Sequence, residues 1–214
     1  CAMRSLRVQI SGASPMSISA GVVASVLLPD TLGACTTMRT SGLAVDAQSG
    51  AFAVVGENLF NLIGSTNHRG WVSKVDANGD LDISFDGDGF KQYEAPFPAT
   101  DLRFHAVVLD SQGELLVGGI TGNADASLQQ FALLKMQPNG ALDTDFGING
   151  LTGTTFAGTS GSATLNVVSD MLTDGDRAVL AGYRHFAEPS DDDFAIAAWF
   201  QTASGNVIFA NGFE

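Results

Sequence analysis

Short apolar runs set off by glycines and polar pairs recur along the chain in a fixed order. "SGAFAVVG" (Ser49 to Gly56), "QGELLVGG" (Gln112 to Gly119) and "GDRAVLAG" (Gly175 to Gly182) end on Gly56, Gly119 and Gly182, which are evenly spaced. Brief runs of Val, Ala, Leu and Phe bounded by Gly, Asn and Asp read as buried strands. A polar stretch follows each run, at 57–70, 120–130 and 183–193, and reads as a loop of variable length. A second strand comes next: "WVSKV", "FALLKM" and "FAIAAWF". An Asn-Gly or similar turn then leads into a short strand and a bend rich in Phe and Gly. Upstream of each buried run, "GLAV", "HAVVL" and "LNVV" supply one more strand. No long helical stripe appears.

The turn region repeats as well. "KVDANGDLDISF" (Lys74 to Phe85) lies over "KMQPNGALDTDF" (Lys135 to Phe146), with Lys, Asn-Gly, Leu-Asp and Phe all matched at one constant offset. Eroded copies stand at "RVQISGA" (Arg7 to Ala13) and "FQTASGNVIF" (Phe200 to Phe209), so the anchoring glycines are Gly12, Gly79, Gly140 and Gly205. Four strands with their turns fill about 60 residues, and strand-only repeats of that length predict propeller blades. The expected fold is all-β, a partial β-propeller-like array of about three four-stranded blades in one repeat domain, 1–214. Within it a partial repeat covers 1–23, and repeats cover approximately 24–90, 91–151 and 152–214. Three blades span an arc, so the two end faces are expected to lack cover and to favour self-association or blades from a longer chain.

Composition narrows the function. With 23 acidic against 10 basic residues the net charge is −13, and no basic stripe is present to displace counterions from phosphates, which argues against nucleic-acid binding. No run of 18 or more apolar residues appears, so no transmembrane helix is expected. Cys1 and Cys35 are too few for a disulfide scaffold, and the sequence leaves open one bridge or two free thiols. "LGAC" (Leu32 to Cys35) has the form of a lipoprotein cleavage box, but Pro29 and Asp30 interrupt the apolar stretch before it.

"KVDANGDLDISF" also has the look of a calcium loop. Asp76, Asn78 and Asp80 occupy alternate ligand positions, yet Leu81 stands where such a loop needs Gly, and Gly87 where it needs Glu. The sister repeat holds Gln137, Asn139 and Ala141 at those places, so a turn is the better reading. Weak calcium binding by Asp76, Asn78, Asp80 and Asp82 stays open. Asn-Gly predicts a hairpin turn of type I′, with Asp82 and Asp143 capping turn amides. Arg7, Lys74 and Lys135 read either as cations ringing a channel or as long side chains along an outer strand face, and Phe200 at that place in the fourth copy favours the latter. His68, His105 and His185 read as surface or turn histidines, Asp191-Asp192-Asp193 as a solvated acidic loop, and Trp71 and Trp199 as packed strand residues. Phe97, between two prolines, reads as loop. The motifs assign no catalytic, cofactor-binding or metal residue and no cofactor.

The stretches "FALLKMQPNGALDTDFGINGL" and "VVLDSQGELLVGG" resemble the bacterial delta-60 repeat, whose pattern alternates "Q-P-D-G-K-I-V-V-A-G" with "A-R-L-N-A-D-G-S-L-D-T-S-F-G-x-x-G". The match is close at Phe131 to Leu151 and Trp71 to Phe90, and looser at 7–23 and 200–213. The resemblance implies a β-propeller-like array in a secreted or surface protein, and carries no general catalytic motif. "IFANGFE" (Ile208 to Glu214) is similar to a short tail ending in Gly-Phe-Glu on some exported bacterial proteins, and reads equally as the repeat's own bend, shortened. The expected function is a non-catalytic exported scaffold or binding module that meets a protein or polysaccharide through its variable loops. The alternative is a polysaccharide lyase or hydrolase using carboxylates at the propeller mouth.

Overall fold

A computed structural model describes residues 5–8, 24–27, 37–62, 65–96, 99–110, 112–123, 129–156, 163–186, 191–201 and 207–212. Among them no helix forms. The strands are β1 (Ser5–Val8), β2 (Ala24–Leu27), β3 (Thr37–Val45), β4 (Phe52–Leu62), β5 (Ser65–Val75), β6 (Phe90–Tyr93), β7 (Asp101–Leu109), β8 (Leu115–Gly122), β9 (Gln130–Met136), β10 (Leu151–Thr154), β11 (Ala163–Asp174), β12 (Arg177–Phe186), β13 (Asp191–Phe200) and β14 (Val207–Gly212). β1 and β2 pair as a hairpin, and the other twelve form three antiparallel four-stranded meanders, β3 to β6, β7 to β10 and β11 to β14. The protein is thus an all-β, partial β-propeller-like array of three four-stranded blades.

Alternation along the strands builds the core, because successive side chains point to opposite faces. Ala53, Val55 and Val72 of the first sheet pack against Leu102, Phe104, Val107, Leu115 and Val117 of the second. The second sheet's other face, with Leu116, Ile120, Phe131 and Leu133, packs against Met171, Leu180, Ala197 and Trp199 of the third. Trp71 and Trp199 are fully buried, as strand packing requires of them. The recurring glycines stand where backbones meet closely: a Cβ on Gly56, Gly119 or Gly182 would lie about 2 Å from the carbonyl oxygen of Arg39, Arg103 or Val167 respectively. These carbonyls sit beside a bulge that the first strand of each blade carries, at Thr40/Gly42, Phe104/Ala106 and Val168/Asp170.

The Asn-Gly dipeptides do reverse the chain, but not as type I′ turns. Positive φ falls on Gly79 (90°) and Gly140 (82°) and not on Asn78 or Asn139. Gly79 N–H donates to Asp76 O (3.1 Å) and Asp76 N–H to Asp80 O (2.8 Å), and Gly140 and Gln137 repeat the pattern with Gln137 O and Ala141 O. This is a three-residue loop, a type I turn closed by a left-handed Gly. In the first copy the Asp76 carboxylate accepts the N–H groups of Asn78 (2.9 Å) and Asp80 (3.0 Å), an arrangement that favours the type I conformation; the second copy keeps the same form with Gln137 in that place, where Asn139 Oδ1 accepts the Ala141 N–H (3.0 Å).

Three further readings are corrected. The stretches 57–70, 120–130 and 183–193 are not simply loops. Paired strand runs to Leu62 and resumes at Ser65, runs to Gly122 and resumes at Gln130, and runs to Phe186 and resumes at Asp191. Their polar residues conceal strand because they lie where the sheets meet polar partners rather than the apolar core. The short strand expected after each Asn-Gly turn shrinks to single bridges, Val75 to Leu81 and Met136 to Leu142. The Phe-Gly bend follows, and only then the outer strand, β6 or β10. In the third sheet β14 pairs directly with β13, so Ile208–Gly212 is strand rather than bend. Gly12, Gly205, Cys1, Cys35, "LGAC" and Phe97 lie outside the described residues.

Candidate functional site

The strongest concentration of charge in the described interior lies between the first two sheets. The bulk of β4 and β5 is apolar, but toward the hairpin tip the sequence changes to Glu57 and His68, which pack toward β7. The first half of β7 supplies Asp101, Arg103 and His105. Glu57 and Asp101 are buried, at 8% and 3% exposure, so each needs partners to remain charged.

Asp101 is the hub. His68 donates its backbone N–H to Oδ1 (2.6 Å), and its ring Nδ1 lies 3.0 and 3.1 Å from the two carboxylate oxygens. Arg103 donates Nε–H to Oδ2 at 3.0 Å and a second guanidinium N–H to the same oxygen. Burial by itself would raise the Asp101 pKa, but the hydrogen bonds from His68 and Arg103 together outweigh it and hold the carboxyl below its usual range. Glu57 stands farther off, with Oε2 3.6 Å from Arg103 Nε and 3.9 Å from His68 Nε2, while the exposed Arg39 reaches its other oxygen at 3.7 Å. Burial pushes the His105 imidazole down, with Glu57 opposing and Arg103 adding to the shift. His68 and His105 are therefore interior groups, not the surface or turn histidines expected.

A carboxylate, an imidazole and a second carboxylate in a row can orient a ring and hold a proton, which is acid–base chemistry in outline. The next interface decides how to read it. Gln129 takes the place of His68 one repeat on. It accepts the Asn166 N–H through Oε1 (2.8 Å), and Asn166 Nδ2–H donates to Gln129 O (3.0 Å). Counted back from the bulge in the first strand of each blade, Asn166 stands one residue along from the position that matches Asp101. A clasp between neighbouring blades is thus made once by an imidazole and a carboxylate, from β5 to β7, and once by two side-chain amides, from the residue just before β9 to β11. A scan against protein-family models and a search of curated proteins both return no match. The repeat within the chain is therefore the comparison that informs the site.

The remaining candidate residues are drawn into the same scaffold. Lys74 and Lys135 neither ring a channel nor lie along an outer face. Lys74 is buried, 3.6 Å from Asp82 and reaching Pro138 O of the next blade at 3.4 Å. Lys135 lies 3.2 Å from both Glu114 and Asp143. Burial would lower the Lys135 pKa, and the hydrogen bonds to Asp143 and Glu114 reverse this and raise it. Asp82 and Asp143 cap their bends by accepting the N–H of Ser84 (3.0 Å) and Asp145 (3.2 Å). Asp86 pairs with Lys91 (2.7 Å), and Asp88 accepts the Phe90 N–H (2.9 Å). The acidic run 191–193 is not a loop but the start of β13, where Asp192 faces His185 at 2.6 Å across the pair of strands. Tyr93 is buried and donates its hydroxyl to Gly140 O at 2.7 Å.

Those last contacts define a second join between blades. The bend after the first blade's turn embraces the second blade's turn. Phe85 is fully buried, its ring lies 3.0 Å from where a Cβ on Gly140 would stand, and Asp86 N–H donates to Asn139 O (3.1 Å). Between the second and third sheets, at the turn end, a pocket of about 280 Å³ is lined by Asp110, Glu114, Lys135, Thr173 and Gln201 among others. The cation in its lining is the Lys135 already held by two carboxylates. The repeat spacing could have revealed both joins in the sequence, had polar pairs one repeat apart been compared as the glycines were.

Proposed function

We propose that the chain is a non-catalytic binding module or scaffold, a member of the delta-60 repeat class exported to a bacterial cell surface or beyond, and that it meets a protein or polysaccharide at its hairpin tips. The observation that carries this reading is the replacement of the His68–Asp101 clasp by Gln129–Asn166 at the next interface. A join that amides make as well as charges do serves to hold blades together, not to move protons. The three connections β4–β5, β8–β9 and β12–β13 follow the strand ends opposite the short turns, and they differ in length and sequence, whereas the Asn-Gly turns of the first two blades are alike. Binding residues are disproportionately found on such variable tips over a rigid frame.

Titration calorimetry against a panel of neutral and acidic polysaccharides tests the proposal, run beside an assay for newly formed reducing or unsaturated sugar ends. Binding without end formation, weakened by exchanging the 124–128 segment for a short Gly-Ser link, is the expected result. Chain cleavage that Asp101→Asn and Glu57→Gln abolish, in variants that stay folded, would instead establish the carboxylate enzyme.

A further inference from the structure

The two blade interfaces within the chain show what a blade face of each kind requires. On the second sheet, Leu116, Ile120, Phe131 and Leu133 are 6%, 3%, 0% and 0% exposed beneath the third sheet. The matching positions of the third sheet hold Val179, Tyr183, Phe194 and Ile196. Strand register puts them on one face: Val179 beside Ala198, Ala181 beside Ile196, Tyr183 beside Phe194, with Leu172 beside Val179 and Phe200 beside Arg177. Here Leu172 is 57% exposed, Phe194 50%, Phe200 38% and Tyr183 36%. A face built like a buried blade interface is thus open at Leu172, Tyr183, Phe194 and Phe200, with Val179, Ala181 and Ile196 half-buried between them and the small Ala198 covered by its neighbours.

The opposite end of the array differs. Of the first sheet's outer face, Phe52, Val54, Trp71, Val75 and Phe90 are already buried, and only Leu43 and Val45 on β3 are largely exposed among the described apolar residues of that sheet. Among the described residues each chain therefore offers one extensive open apolar face, which a head-to-tail chain of copies could not use at both ends. A single open face shared by identical molecules is satisfied by two-fold pairing, in which each copy covers the other's patch.

We infer that the outer face of the third sheet, centred on Leu172, Val179, Tyr183 and Ile196, binds the same face of a second copy of this chain. Four strands about 4.8 Å apart and about ten residues long, at about 3.4 Å each, present roughly 650 Å² per copy. The total of roughly 1,300 Å² falls at the low end of specific protein interfaces. The pairing is thus a reversible dimer of modest affinity. Two chains of net charge −13 repel one another, so added salt strengthens the dimer by screening, the reverse of an interface held by ion pairs.

Light scattering coupled to gel filtration, over a concentration series of the full chain at low and high salt, tests this. A mass that rises from one copy to two, at lower concentration in high salt, is expected. Leu172→Glu with Tyr183→Glu should shift the midpoint at least tenfold upward in concentration with an unchanged circular dichroism spectrum, and Tyr183→Ser should shift it in the same direction should the double variant misfold. Ile148→Glu, at an exposed apolar residue of the second blade's bend, should leave the midpoint unmoved. A monomer at every concentration, oligomers growing beyond two, or a dimer indifferent to both face variants would overturn the inference.

Discussion

The join between blades can be tested at a single hydrogen atom, the one that distinguishes glycine from alanine at residue 140. Gly140 has φ of +82° and is buried, and an added Cβ would approach Cε2 and Cζ of Phe85 at 3.0 Å. Gly87 makes the control: its φ is +88° and a Cβ there meets nothing within 4 Å. Alanine at either site suffers the left-handed penalty of about 1–2 kcal/mol. At Gly140 it also overpacks the interface, and inserting a carbon into a packed core costs about 1–3 kcal/mol more. Gly140→Ala should therefore lose about 2–5 kcal/mol and Gly87→Ala about 1–2 kcal/mol, against a whole-domain stability of about 5–15 kcal/mol. Urea titration of each variant gives the losses, provided the slopes agree. Phe85→Leu completes a double-mutant cycle: by making room it should recover part of the Gly140→Ala loss and none of the Gly87→Ala loss. Equal losses in the two glycine variants, or no coupling to Phe85, would refute the claim that the bend of one blade grips the turn of the next.

Three other outcomes follow from the same contacts. The depressed pKa of Asp101 means that its charge stabilises the fold above the unfolded-state pKa of about 3.9 and that this contribution fades as pH falls through the lower folded value; Asp101→Asn should lower stability at neutral pH and flatten the acid limb of a melting-temperature profile. His105 is shifted the same way from an ordinary value of about 6.5, so stability should also decline from that pH downward, and His105→Gln should remove this component while leaving the more acidic one. Millimolar calcium and excess chelator should give the same melting temperature, whereas a bound ion at a hundred times its dissociation constant would add about 2.7 kcal/mol; a rise of several degrees that Asp80→Ala abolishes would show a metal site.

The apolar elements of this fold are legible in the sequence because their signal is local. "AFAVVG", "ELLVGG" and "RAVLAG" read as strands from composition alone, and the even spacing of Gly56, Gly119 and Gly182 turns three guesses into one repeat. The polar half is not legible in that way. Glu57, Asn58 and His68 interrupt the apolar pattern and look like loop, yet they are strand, because the partners of Glu57 and His68 are Asp101 and Arg103 in a different sheet. The Asn-Gly pairs signal a reversal but not its type: both copies close as three-residue loops with only the Gly at positive φ, one headed by Asp76 and the other by Gln137. The outer strands β6 and β10 were displaced past the bend because Gly89 O and Gly150 O accept the N–H groups of Lys74 and Lys135, ladder positions that a strand following the turn would have used. The site itself became readable only through the amide pair Gln129–Asn166, whose kinship to His68–Asp101 lies in place and not in residue type.

The grip of Phe85 and Asp86 on the turn at Asn139-Gly140 has a direction. The holder precedes what it holds by most of a repeat, and a ribosome releases polypeptide from the N-terminus. During synthesis the first blade's bend is thus in solution, complete, before the second blade's turn has been made. The second blade can close against a finished neighbour as it emerges, and it need not wait for a segment still in the exit tunnel to fasten its own reversal. An arrangement with the bend gripping the preceding turn would bury the same surface and make the same hydrogen bonds. It would leave the gripped turn unfastened for the time taken to translate a further repeat, about 3–12 seconds at roughly 5–20 residues per second. Assembly order is in this way written into which side of the join carries the aromatic ring.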